Sequence, residues 1–170
     1  MLKVTLIAAS LTLSLAAVPT MVSAEETQGF DIRGAWTGKG FVQKDSESRK
    51  MNVTCKIQGA QEGDELGFDG ECRAMMVLKR AIGADIMRQG TQYTGTYVGS
   101  KAGPAVLNGG PKDDGSIVLQ MTFPKTIHGD DIATMTIQPE NERVFKITTV
   151  DLMGEGQTPV TTAQITFERD

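Results

Sequence analysis

The chain has 170 residues, a formal net charge of −4, two cysteines and a single histidine. A mildly acidic chain without a Lys/Arg cluster is a poor nucleic-acid binder. One histidine and two cysteines leave too few ligands for a zinc centre once the cysteines pair, so no metal and no cofactor are expected.

Residues 1–24 read as a secretory signal peptide: Lys3, an apolar run from Val4 to Val18, and the small-residue cleavage site Val22-Ser23-Ala24 before Glu25-Glu26. The apolar run is too short to span a bilayer, so no integral membrane span is expected after cleavage. Residues 25–170 are one domain's worth of chain. The expected location is periplasmic or secreted, an oxidising compartment that favours a disulfide.

Glu25 to Phe30 reads as a leader, and Arg33 to Gln43 as the first strand, with Trp36, Gly38 and Gly40 on one face. Lys44 to Lys50 is a polar connection. From Met51 to Gly59 the chain alternates: Met51, Val53, Cys55 and Ile57 point one way, and Asn52, Thr54, Lys56 and Gln58 the other. That period of two marks a half-buried strand. Leu66, Phe68, Gly70 and Cys72 repeat it, and Gly63-Asp64 between the runs suits a two-residue type II′ turn, whose first position needs positive φ.

This turn predicts a register. If Glu62 faces Glu65, then Cys55 faces Cys72 on a non-hydrogen-bonded rung, where Cα atoms lie about 4.5 Å apart, within reach of a disulfide. The same register sets Lys56 against Glu71, an opposite-charge pair. It also sets Ile57 beside Gly70, Phe68 beside Gly59, and Met51 opposite Met76.

Residues 74–89 read ambiguously. Ala-Met-Met-Val-Leu-Lys-Arg-Ala has helical propensity, but the favoured reading extends the third strand to about Leu78 and places a short fourth strand at Ala84–Arg88, with Gly83 and Gly90 as punctuation. Further strands follow at Tyr93–Val98, Ala105–Asn108, Ser116–Phe123, Ala133–Gln138, Val144–Leu152 and Thr161–Glu168. Asn108–Gly115 and Pro139–Glu142 read as turns, and Met153–Pro159 as a longer loop. Eight to ten short strands at regular spacing predict an all-β fold, an antiparallel barrel or sandwich with one disulfide-stapled hairpin. The last strand, which alternates to its end, can close a barrel against the first.

Gly34-Ala35-Trp36 resembles the start of a lipocalin or calycin barrel, which carries Gly-x-Trp at the head of its first strand. In that family an Arg near the end of the last strand packs over the Trp, a part that Arg169 is placed to play. Tyr93-Thr94-Gly95-Thr96-Tyr97 is similar to a strand motif of avidin-like barrels, although the several tryptophans of that family's biotin pocket are missing. The resemblance implies a lipocalin-like antiparallel β-barrel with a central cavity, and fold does not imply function.

No catalytic signature stands out. His128, followed by Asp130 and Asp131, would have to serve any Ser-His-Asp triad, yet it sits in a predicted turn with no Gly-x-Ser-x-Gly nearby. Asp113-Asp114-Gly115 lacks the alternating oxygen ligands of a calcium loop. Gly99-Ser-Lys-Ala-Gly103 does not fit a phosphate-cradling loop. Carboxylates are scattered, and nothing selects a glycosidase pair.

The expectation is therefore a non-enzymatic binding barrel, a carrier of a small apolar or amphipathic ligand. Its candidate lining residues are Trp36, Phe41, Met51, Phe68 and Met76, since methionine and aromatics line adaptable apolar sites. A core filled by side chains competes with this, because eight-stranded barrels have little interior room. The alternative is a protein-binding barrel, such as an inhibitor of an envelope protease or lysozyme-like enzyme, acting through Ser100–Pro104, Asn108–Gly115 or Met153–Pro159.

Overall fold

The computed structural model describes residues 30–75, 77–127 and 129–170. The predicted signal peptide, Met76 and His128 lie outside the described residues. Among the described residues ten strands run in chain order: β1 Gly34–Val42, β2 Met51–Glu62, β3 Glu65–Ala74, β4 Leu78–Gln89 and β5 Gln92–Val98, then β6 Ala105–Pro111, β7 Ile117–Ile127, β8 Asp130–Asn141, β9 Val144–Met153 and β10 Thr158–Arg169. Each pairs antiparallel with its sequence neighbours, and β1 pairs with β10 from Trp36↔Arg169 to Val42↔Ala163. The barrel is closed, so its backbone ladder presents no long free edge.

Alternation places the core inside. On β2, Val53, Cys55, Ile57 and Gly59 are buried between exposed neighbours, and on β7, Ile117, Leu119, Met121 and Phe123 repeat the pattern. Inward residues from every strand form one apolar cluster.

The β2–β3 hairpin has the register expected from its turn. Gly63 takes φ +57°, Glu62 faces Glu65, Lys56 faces Glu71, and Cys55 faces Cys72. The two cysteines are bonded, with Cα atoms 4.0 Å apart, and both are buried on the inner face. The bridge joins adjacent strands and lies within the core.

Several strand limits differ from the sequence reading. The third strand stops at Ala74, and β4 begins at Leu78 and runs through Gly83 without a break. Between them Met75 takes φ +49°, a tight turn without the usual Gly or Asn. The predicted face-to-face pair of Met51 and Met76 cannot be followed, because Met76 lies outside the described residues; on its β1 side Met51 pairs with Val42. β6 continues through Gly109, Gly110 and Pro111, which were expected in a turn. Pro139 lies within β8 opposite Phe145, beside a register shift, where a missing N–H is tolerated.

The two barrel ends are built differently. At one end the segment leading into β1 crosses the opening, with Ile32 1% exposed. Its carbonyl packs against Gly59, where any side chain would collide with the Ile32 oxygen. Trp36 Nε1 donates to the Ile32 carbonyl at 2.7 Å. The Trp36 ring meets Phe145 edge-on at 4.8 Å between centroids, and Phe145 stacks on Phe167 at 4.9 Å. Phe30 caps the group, 4.9 Å from Phe145. The Arg169 guanidinium lies 4.3 Å over the Trp36 ring, as the lipocalin resemblance implied. Arg169 also donates to the Asp31 carbonyl at 2.8 Å and to the Arg33 carbonyl.

Candidate functional site

The opposite end is the mouth. It is ringed by residues 43–50, the β3–β4 turn, residues 99–104, the β7–β8 turn and residues 154–157. Here inner-face residues stay half-exposed while still packing on the core: Val42, Ile82, Tyr97, Ala102 and Ile127. Below them Leu107, Leu119, Met135 and Ile137 are at most 1% exposed, so the lower barrel is filled with side chains. The mouth therefore presents apolar inner-face side chains to solvent.

Three polar groups share the mouth's inner face. Arg80 is registered opposite Cys72, whose side chain points inward, so strand alternation turns Arg80 inward too. Tyr97 faces Ala84 on β4 and Ala105 on β6, both buried inner positions. Burial pushes the Tyr97 hydroxyl up from its ordinary 10.0, and the nearby Arg80 charge acts against that rise. Asp151 is 6% exposed and is registered with Ala133 on β8, which places a carboxylate on the inner face of the same end.

The Tyr97 shift carries a pH expectation. A hydroxyl whose folded pKa is raised contributes stability that is complete below the unfolded value and is lost as pH climbs through the folded one. Thermal stability should therefore fall above about pH 10, accompanied by late tyrosinate absorbance. Tyr97→Phe should remove the late absorbance and flatten the alkaline fall. An unchanged profile in that variant would assign the effect to another group.

The candidate lining residues are spread over the barrel. Trp36 is fully buried in the closed end. Phe68 is inward and buried on β3, and its backbone region borders a groove of about 290 Å³ that runs along β4 past Ile82 and Val98. Met51 is half-buried at the rim, registered with Val42. Phe41 faces out: it is registered with the exposed Asn52, and Lys50 Nζ sits 4.0 Å over its ring. Trp36, Gly38 and Gly40 occupy the inward positions of β1, so strand alternation turns Phe41 to the outer wall. A second groove of about 530 Å³ lies at the rim between Asn52, Thr54, Arg73 and Met75. Arg80 escaped the sequence reading because a fourth strand beginning at Ala84 does not set it opposite Cys72, whereas Tyr97 lay within the predicted Tyr93–Val98 strand but carried no sign of which face it takes.

The three loops considered for protein binding do not form one surface. Residues 99–104 and 154–157 lie at the mouth, whereas the turn at 112–115 lies at the closed end. Asp114 is engaged there by Ser116, whose hydroxyl and backbone N–H donate to its carboxylate. Among the described residues, no group of three or more His, Cys, Asp or Glu side chains could hold a metal ion. No helix among them is long and apolar enough to cross a membrane.

No family model matches the chain, and no curated protein matches it in sequence. Among solved structures it is similar to the S-type phycobiliprotein lyase CPES from Guillardia theta, with a TM-score of 0.57 and 14% identity over 81% of this chain and 88% of that one. This likeness is one of fold, and it makes the closed barrel lipocalin-like. It also corrects the expectation of a non-enzymatic protein. A barrel of this architecture occurs in a lyase, so the fold offers no ground for setting catalysis aside.

Proposed function

We propose that the protein binds a small apolar or amphipathic molecule at the barrel mouth, and that it does so in an oxidising compartment outside the cytoplasm. One observation carries the binding reading: at the mouth the inner-face side chains Val42, Ile82, Tyr97 and Ile127 are left half-exposed beside an inward-facing arginine, whereas the segment leading into β1 crosses the opposite opening. Ile82, Tyr97, Ala102 and Ile127 would receive the apolar body, and Arg80 would receive an anionic head. The solved lyase barrel supports a small-ligand reading of this architecture. The Cys55–Cys72 disulfide supports the compartment, because disulfides persist in oxidising surroundings.

The test is native mass spectrometry of the protein purified from its own source, followed by denaturing extraction. A small molecule released on unfolding is the expected result. In parallel, anilinonaphthalene sulfonate, an anionic amphiphile, should bind wild type roughly tenfold more tightly than Arg80→Ala, as fits the loss of a charged hydrogen bond. An empty protein that also fails to bind the dye would overturn the proposal.

A further inference from the structure

The outer wall of the mouth has a second property, independent of what the inner face holds. Every large hydrophobic side chain that is exposed among the described residues lies at this end: Met75 at 65%, Val77 at 79%, Leu78 at 50%, Val98 at 45%, Val106 at 60%, Ile132 at 40% and Leu152 at 38%. Scattered exposed apolar residues need no explanation, but their confinement to one end of a barrel does.

Their placement has a shape. Val106 and Ile132 are both registered with Thr122 on the outer face. Leu152 continues the row, registered with Pro159. Met75, Val77 and Leu78 form the tip of the β3–β4 hairpin. This tip projects past its neighbours, since β4 pairs with β5 only from Gly83↔Val98 onward and β3 pairs with β2 only to Ala74. The apolar groups therefore follow the rim from β3 round to β9.

Charge marks the same end. By strand order Arg49, Lys50, Lys79 and Lys101 lie on the segments that flank the tip, while the closed end carries Glu62, Asp64, Glu65, Asp113, Asp114 and Glu142 alongside Arg33, Arg88, Lys112, Arg143 and Arg169. Carboxylates are present at the mouth too, among them Asp45, Glu47, Asp130, Asp131 and Glu155, so the cationic character belongs to the tip and its flanks rather than to the whole rim. Exposed aliphatic side chains at a tip flanked by cations are complementary to an anionic lipid surface, which attracts the cations and receives the apolar groups at its interface.

We propose that the mouth end of the barrel docks onto anionic lipid bilayers, with the β3–β4 tip inserted at the interface. The contact is reversible and weakens as salt rises. The docking groups lie on the outer wall and the tip, so this inference stands whether or not the inner face binds a ligand.

The test is flotation of the purified protein with vesicles of equal parts phosphatidylglycerol and phosphatidylcholine, beside vesicles of phosphatidylcholine alone. The protein should float with the anionic vesicles and be released by salt. Lys79→Glu, an outer-face change, should lower the partition coefficient by about tenfold or more, and Val77→Asp should lower it comparably. Both variants should keep the wild-type thermal transition and the wild-type affinity for anilinonaphthalene sulfonate. Three outcomes would each overturn the proposal: no binding to anionic vesicles at low salt, salt-insensitive binding to both vesicle types alike, or capture of a protein by a photo-crosslinker at position 77 without vesicle binding.

Discussion

Trp36→Ala is expected to be among the most damaging single substitutions in the chain, lowering the unfolding free energy by about 3–5 kcal/mol. The indole is fully buried and touches every part of the closed end. It supports the Phe145–Phe167 stack, hydrogen-bonds the Ile32 carbonyl, and lies beneath the Arg169 guanidinium. Removing it leaves a cavity, an Ile32 carbonyl without its indole donor and a cation without its ring. The midpoint of thermal unfolding should fall by on the order of 10 °C. Trp36→Phe keeps the volume more nearly and loses the indole hydrogen bond, so it should fall between wild type and Trp36→Ala. A loss below about 1 kcal/mol for Trp36→Ala would show that the plug is ornamental and that the strands alone hold the barrel.

The second large effect is expected from the disulfide. Cys55→Ala combined with Cys72→Ala should reduce stability by about 3 kcal/mol through the freer unfolded chain alone, plus a contribution from two lost inward side chains. Both sulfurs sit among core residues, with Cys55 fully buried. Native protein should therefore resist reduction by a mild thiol until it is partly unfolded. The checks are urea denaturation of the variant and of oxidised and reduced wild type, together with the rate of thiol release in native buffer. Rapid reduction without loss of structure would contradict the buried inner-face bridge.

The parts of this architecture that were legible in the sequence are those where one local signal confirms another. Gly63 sets a turn, the turn sets a register, and that register brings Cys55 to Cys72 and Lys56 to Glu71. Trp36 and Arg169 could be matched from opposite ends of the chain because the family resemblance supplied a reason for them to meet. The β3–β4 turn was not legible. Met75 adopts positive φ without a Gly or Asn to announce it, and Ala-Met-Met-Val-Leu carries helical propensity that pairing on the barrel overrides. Gly83 looked like punctuation, yet it sits buried in β4. A Cβ there would stand 3.1 Å from the Phe68 carbonyl oxygen and 3.3 Å from Val98, so the glycine serves close strand contact. The consequence reached the candidate site: with β4 begun too late, Arg80 could not be set opposite Cys72, and the polar side of the mouth went unseen. Phe41 faces out because Trp36, Gly38 and Gly40 already claim the inward positions of its strand, an alternation that its aromatic character does not override.

The latch at the closed end also governs when the protein can acquire its shape. Arg169 reaches back across sequence separations of 136 and 138 residues to the Arg33 and Asp31 carbonyls, and β10 supplies one of the two flanks of β1. The first strand synthesised thus waits for the last before its ladder is complete. Contacts of such high order are formed late and slowly, so closure must await the synthesis of β10. Until that moment β1 offers an unpaired edge to any other strand. A chain ending before Arg169 would keep most of its strands and lose the clasp that joins its two ends.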